Sequence, residues 1–318
     1  MADASSIKAK TQGLGTDPQA DADHLPNEVA QMWAFARNTG ISAQIKQLHT
    51  PRPLVSLSAA LMDWLLIALA TAGVIQWGLV FVLPALIVIG NRQRALGNLL
   101  HDASHYSLDR NRNRAALMAN LLFCWPLWQS MTVYRKDHNH HHWYLGEPGR
   151  DPDFIQDESR LHRGWLNVWW DQVSSTQMLR GAVLAHVGRM DVTAHLCVLG
   201  WWATALFSIA AVFGTATALV FFCLWIGAKA TAFHAITAFR EISDHVGLHP
   251  GSLIGFSRNH TFTSLAGHLF HPHNNGYHLL HHLTPGIPFH ALPQAHTLLR
   301  NWPPYQMGEH CDSYFLGS

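Results

Sequence analysis

The sequence predicts an all-α integral membrane protein: four transmembrane helices in two hairpins, with a cytoplasmic helical cap that carries clustered histidines. Two long stretches almost free of charge, an uneven placement of basic residues around them, and three histidine clusters at helical spacing support this expectation.

Residues 1–50 are polar, rich in Ala, Asp, Gln, Gly and Thr up to Asp23, and contain no apolar signal core. They are expected to form a partly disordered cytoplasmic N-terminus. Residues 51–318 are expected to form one membrane domain. Between Pro53 and Asn91 the one acid or base is Asp63, and Val192 to Ala228 contains no Asp, Glu, Lys or Arg. Each run is long enough for two crossings of about 20 residues. Spans are expected near residues 54–74, 77–99, 193–213 and 217–240, with hairpin tips at Ile75–Trp77 and Gly214–Thr215. Residues 101–190 and 241–318 then make the cap. Asp63, an isolated intramembrane carboxylate, is expected near an interface or bonded to another helix.

Basic residues set the orientation. Lys8, Lys10, Arg37, Lys46 and Arg52 precede the first span, Arg92 and Arg94 follow the second, and Arg180, Arg189, Lys229 and Arg240 flank the second hairpin. The tips carry no charge, so the positive-inside rule places both termini and all three histidine clusters in the cytoplasm of a bacterial-type inner membrane. Ala115 to Val133 is apolar enough to imitate a fifth span. A crossing there would put the first two clusters on opposite faces, and Pro126, Gln129 and Ser130 favour a kinked interfacial helix instead. His162 to Met190, with Trp165, Trp169 and Trp170, reads as a further interfacial piece or as cap core. Cys124, Cys197, Cys223 and Cys311 show no paired spacing and are expected to be free thiols. A formal net charge of +1 without a basic patch excludes a nucleic-acid partner.

The clusters are His101-x-x-x-His105, His138-x-x-His141-His142 and His278-x-x-His281-His282. On a helix, offsets of three and four put the imidazoles of a cluster on one face, as a row of neutral nitrogen donors for zinc, copper, nickel or iron. Eight donors are too many for one tetrahedral ion, and neither His-Glu-x-x-His nor Glu-x-x-His is present. A two-metal centre ligated almost wholly by imidazole fits the count. His140 projects away from its neighbours, and His268, His271, His273, His290 and His296 do not repeat the spacing.

These three boxes, the final one preceded by Asn274-Asn275-Gly276-Tyr277, resemble those of the membrane fatty acid desaturase and hydroxylase superfamily. Asp151-Pro152-Asp153, Arg240-Glu241-Ile242-Ser243-Asp244-His245, Pro285-Gly286-Ile287-Pro288 and Leu292-Pro293 extend the likeness. The resemblance implies two non-haem Fe ions held by His101, His105, His138, His141, His142, His278, His281 and His282, with His245 as the ninth ligand. It also implies roles beside the metals for Glu241, Asn275 and Tyr277, and hydrogen-bonding support from Asp102, Asp137 and Asp244. The implied activity is O₂-dependent desaturation of a fatty acyl chain in a tunnel between the membrane helices. Electrons would come from a separate donor such as ferredoxin with its reductase. A hydroxylase, ketolase or acetylenase acting on a lipid, carotenoid or specialised metabolite is the alternative. A metal transporter or sensor is more distant, because transporters place such ligands near the membrane midplane.

Overall fold

The computed structural model describes residues 28–154, 164–184, 186–261 and 264–314; most of the N-terminal segment and the stretch 155–163 of the cap lie outside the described residues. The architecture is all-α apart from one short parallel strand pair, β1 (Arg258–His260) beside β2 (Glu309–Cys311). Two short helices, α1 (Glu28–Asn38) and α2 (Ser42–Leu48), pack on the C-terminal part of the chain. Three helical stretches are long and apolar enough to cross a membrane: Pro53–Ser104, Val192–Phe213 and Thr215–His245.

The first stretch doubles back. Helix α3 (Pro53–Trp77) ends at Gly78, whose φ of 69° and ψ of −150° break the helix, and a 3₁₀ turn over Gly78–Phe81 leads into α4 (Val82–Ser104). Asp63 on α3 meets Arg92 on α4 at 2.9 Å, so the two helices run antiparallel side by side. His273 Nε2 lies 2.7 Å from the other oxygen of Asp63. The lone membrane carboxylate thus ties the hairpin to the cap, while Leu61, Leu65, Leu69 and Leu83 leave the outer faces apolar.

Residues 115–133 do not form a span. Helix α5 (Arg112–Ala119) passes into a π-helical turn at Asn120–Cys124 and then into turns around Pro126. The freed carbonyls find indole donors, Trp64 to Leu122 at 3.2 Å and Trp201 to Leu121 at 2.9 Å. Helix α6 (Met131–Trp143) follows, then α7 (Trp165–Ser174) and α8 (Thr176–Leu184). Trp165 and Trp170 are exposed, whereas Trp169 donates to the carbonyl of Ala235.

The second pair of long helices is α9 (Val192–Phe213) and α10 (Thr215–Ala228), reversed at Gly214 with φ 90°. Asp191 caps the start of α9 through the amide of Ala194. A π-turn at Lys229–Phe233 joins α10 to α11 (His234–His245) in one continuous rod. The C-terminal part adds α12 (Leu265–Phe270), α13 (His278–Leu283), α14 (Leu292–Leu299) and α15 (Pro303–Gln306). All four cysteines are unpaired.

The π-turn packs against α4 at Gly90, where an added Cβ would stand 2.6 Å from both the Phe233 amide nitrogen and the Ala232 Cβ. The obstruction is partly backbone and has no rotamer to relieve it. Gly90→Ala is expected to destabilise the protein by about 1–3 kcal/mol and to lower Tm in detergent. Gly200→Ala on α9, where a Cβ would meet nothing within 4 Å, is the control that leaves Tm unchanged or slightly higher.

Candidate metal centre

Four helices from distant parts of the chain bring the histidines together. His101 lies in the last turn of α4 and His105 is the residue that ends it; α6 supplies His138, His141 and His142; α11 ends on His245; α13 supplies His278, His281 and His282. Hydrogen bonds fix these helix ends to one another. Arg135 on α6 donates to the carbonyls of Ser104 and Ala103 at 3.0 and 3.3 Å, closing the C-terminus of α4 with a cation. The Phe289 amide donates to Asp102 at 2.8 Å, and Asn259 on β1 accepts from the amide of Leu280 in the first turn of α13.

All nine histidines named from the sequence meet, and they divide into two groups. One holds His101, His105, His138, His142 and His281; the other holds His141, His245, His278 and His282, with the candidate ligand nitrogens of each group within 4.8 Å of one another. The i, i+4 pairs stay together (His101 with His105, His138 with His142, His278 with His282). The i+3 members cross over: His141 joins the α13 pair and His281 joins the α4 and α6 pairs. The groups adjoin, with the rings of His142 and His282 4.5 Å apart.

The contacts are nitrogen to nitrogen. Nε2 atoms lie 2.8 Å apart in His105–His138 and in His278–His245, and 3.0 Å apart in His138–His142, His142–His281 and His278–His282. Some of these atoms carry no proton. His141 Nδ1 donates to Asp151 at 2.9 Å and His245 Nδ1 donates to the Phe256 carbonyl at 2.7 Å, which leaves the Nε2 of each neutral ring as a bare lone pair. His101 Nε2 is buried with no hydrogen-bond partner. Around one ion with metal–nitrogen bonds of about 2.1 Å, neighbouring ligands lie about 3 Å apart. Both groups therefore fit a metal ion each.

Burial, reinforced by neighbouring imidazoles, holds His138, His142, His278, His281 and His282 well below the usual imidazole range. Burial likewise takes His105 to about 4. At neutral pH these are neutral donors, the form a metal requires. His141 differs, because burial lowers its pKa but the hydrogen bond and charge of Asp151, with Asp153 nearby, raise it overall. The Asp151 carboxylate also accepts from the amides of Gly146 and Asp153, so its position is fixed from three sides.

Other expected partners have different neighbours. Asp137 pairs with Arg189 at 2.7 Å and forms no hydrogen bond to a box histidine among the described residues. Asp102 Oδ1 stands 3.8 Å from His101 Nδ1. Asn275 is buried with Oδ1 unpartnered, and Tyr277 packs on the ring of His296. Glu241 is half-buried beside the histidines and forms no hydrogen bond or ion pair among the described residues. His140 lies outside both groups, edge-on to Tyr144. A third cluster was not anticipated: Asp244, His260 and His271. His271 bridges Asp244 at 2.9 Å and the Tyr314 hydroxyl at 2.5 Å, while Arg240 holds the second oxygen of Asp244 at 2.8 Å. His260 stacks on His271 and donates to the Ser243 carbonyl at 3.2 Å, with its Nε2 3.8 Å from Asp244, so the cluster buttresses α11 just before His245. No regular spacing links these three residues in sequence.

A cavity of 430 Å³ opens onto His101, His138, His141 and His278 and extends along α11 to the π-turn. Its wall is about as apolar as it is polar, with Leu127, Trp128 and Phe233 beside Arg94, Lys229 and Glu241. Lys229, which the sequence offers only as a charge flanking the second hairpin, is 1% exposed within the membrane helix. The signal for it was present: a single lysine inside the fourth expected span.

Asp151→Ala removes the acceptor that orients His141. It is expected to weaken metal retention about 10–100-fold, measured by chelator competition on purified protein, with helix content unchanged by circular dichroism.

Two comparisons bear on this centre. The chain is 26% identical over 313 residues to the dihydrorhizobitoxine desaturase of Bradyrhizobium elkanii, covering 90% of this chain and 86% of that protein. The family model for fatty acid desaturases matches residues 75–316, which include all nine converging histidines. With both histidine groups inside the matched region, the chain belongs to the fatty acid desaturase family and is an oxidoreductase of that family.

Proposed function

We propose that this protein is an O₂-dependent membrane desaturase with two iron ions. His101, His105, His138, His142 and His281 hold one ion, and His141, His245, His278 and His282 hold the other. The division of nine imidazoles into two groups with inward-facing Nε2 atoms is the observation that carries the reading. Bound as a ferrous pair, the irons would supply reduction of O₂ to an oxidant able to take hydrogen from an unactivated C–H bond. The balance is one –CH₂–CH₂– segment, O₂, two electrons and two protons giving –CH=CH– and two waters. The electrons come from a separate carrier of the ferredoxin type.

The protein's own residues perform the positioning. Asp151 and the Phe256 carbonyl hold His141 and His245 in the Nδ1–H tautomer, so that their lone pairs face inward. Arg135 locks α6 to the end of α4, which keeps the first and second boxes in register. Glu241, next to the histidines without an ion pair, is placed to hold a proton or a water at the cavity wall.

The centre stands on a single membrane domain of residues 51–318, crossing four times as two hairpins reversed at Gly78 and Gly214. The nine histidines lie at the cap end of α4 and α11, so the basic flanks put the centre and both termini on the cytoplasmic side of a bacterial-type inner membrane. Reporter fusions at either terminus are expected to be active only where they report a cytoplasmic location. A periplasmic C-terminus would overturn this topology.

A fatty acyl chain is the first substrate that the family offers. The relative named for desaturation of dihydrorhizobitoxine favours the second, a specialised metabolite. A larger apolar cavity of 610 Å³, lined by Trp64, Ile67, Trp201, Phe213 and Phe221 among others, shares no residue with the metal-site cavity. A chain of indoles links the two linings: Trp225 stacks on Trp64 at 5.3 Å and meets Trp202 edge-on at 5.6 Å, and Trp202 meets Trp128 edge-on at 6.3 Å.

The purified protein is expected to hold about two irons per chain. His142→Ala and His282→Ala each remove a ligand from a different group, and each should retain about one iron and lose all desaturation. A stoichiometry of one zinc per chain, or retained activity in either variant, would refute the two-iron assignment.

A further inference from the structure

We infer that the substrate enters with an anionic group leading, and that this group docks on Lys229 at the inner end of the metal-site cavity. This inference rests on the proposed desaturase reading and names the chemical class of its substrate: a free carboxylate rather than an acyl thioester or a membrane lipid ester.

Lys229 is the observation to explain. It opens the π-turn between α10 and α11, inside a helical stretch apolar enough to cross a membrane. Its side chain is buried, yet it lines the cavity. The ammonium has three donors, and the described residues offer it one acceptor, the Leu127 carbonyl at 3.0 Å, with the Phe233 ring 4.9 Å away. No carboxylate of the described residues lies within salt-bridge distance of it. A buried cation without a counter-charge is costly, and intramembrane ionisable groups are retained where they meet a ligand or a pathway. Inserted π-turns recur at functional sites for the same reason: they turn a side chain or carbonyl out of the helical register.

Arg94, Arg189 and Arg240 line the same cavity, together with the carboxylates Asp137, Asp153 and Glu241. Arg94, also buried, donates to the neutral Asn98 and forms no ion pair among the described residues, whereas Arg240 is already engaged by Asp244. An acyl chain carried by a protein or coenzyme would leave its carrier outside and push a methyl end inward. That end would lie against Lys229 and would leave the remaining donors of its ammonium desolvated. A substrate with an inward carboxylate satisfies Lys229 instead. Lys229 and Glu241 are separated by twelve residues of this rod, about 18 Å at 1.5 Å per residue. The carboxylate therefore docks remote from the carbons that lie beside the histidines. Lys229 is a positioning residue that binds the far end of the substrate and takes no part in the hydrogen abstraction.

The test uses iron-loaded, full-length protein in nanodiscs and three probes with one alkyl stem, hexanoate, hexanol and hexylamine, titrated calorimetrically against empty nanodiscs as blank. Hexanoate is expected to bind about ten-fold or more tightly than hexanol, hexylamine not to bind, and stearoyl-coenzyme A not to displace hexanoate. Lys229→Gln should reduce hexanoate to the level of hexanol, and Lys229→Arg should restore most of the difference, with iron content the same in all three proteins. Equal binding of hexanoate and hexanol by the unaltered protein, or displacement of hexanoate by stearoyl-coenzyme A, would overturn the inference without any variant having to fold. Iron content separates the two proposals. Fewer than two irons with the hexanoate preference intact refutes the two-iron reading and keeps the docking site, and two irons without that preference does the reverse.

Discussion

A neutral imidazole has one N–H and one lone pair, and this fold points nine of them at each other. Two at least, His141 and His245, have their proton on the outward nitrogen, bonded to Asp151 and to the Phe256 carbonyl. Their inward nitrogens are then acceptors only, and a ring nitrogen with a single proton or lone pair, such as His278 Nε2 between those of His245 and His282, cannot satisfy two neighbours at once. Protonation is not the remedy, because burial depresses the pKa of most of these rings. A metal ion in each group would resolve the conflict. Since α4 and α11 belong to the membrane stretches and α6 and α13 to the cap, metal binding would also couple the two halves of the fold.

Helix geometry explains why the boxes split as they do. At about 100° per residue, positions i and i+4 are about 40° apart around the axis, while i+3 lies about 60° away on the other side of i. An i, i+4 pair can therefore converge on one ion, and the i+3 ring faces its neighbour. His141 and His281 make this exchange between α6 and α13, and it sets the two groups side by side. Spacing in the sequence was enough to select the clustered histidines and to call for two metals. It could not divide them between ions, because one face of a helix was as far as periodicity reached. His245, which stands alone in sequence, came only from the resemblance to a known family.

Much of the remaining site was illegible because its contacts are long-range. Asp151 marked itself by following the second box, but the Phe256 carbonyl that orients His245 belongs to a loop with no periodic signal. Asp244, His260 and His271 meet through β1 and the turn before α13, a tertiary arrangement that no local pattern encodes. Asp63 shows the same limit. Its isolation among apolar residues was visible, yet its partners lie 29 and 210 residues away, at Arg92 and His273. The apolar segment 115–133 was read as a non-span from a geometric demand, that boxes one and two remain on one side of the membrane, and it is a broken helix, α5 followed by a π-helical turn and turns around Pro126.

Lys229 was readable but was given the wrong context, since a lysine near a span end normally counts as a flanking charge that snorkels to the interface. Here the rod continues through the π-turn for another sixteen residues, to His245, and the buried lysine lies in its middle. The same continuity makes one helix both the inner wall of the cavity and the support of a candidate metal ligand. A substrate held along that wall is placed relative to His245 by covalent geometry rather than by a mobile loop. Selecting one C–C bond in a chain of similar bonds requires placement to within an ångström or so. A single rigid element with the docking charge at its middle and the ligand histidine at its end supplies that placement.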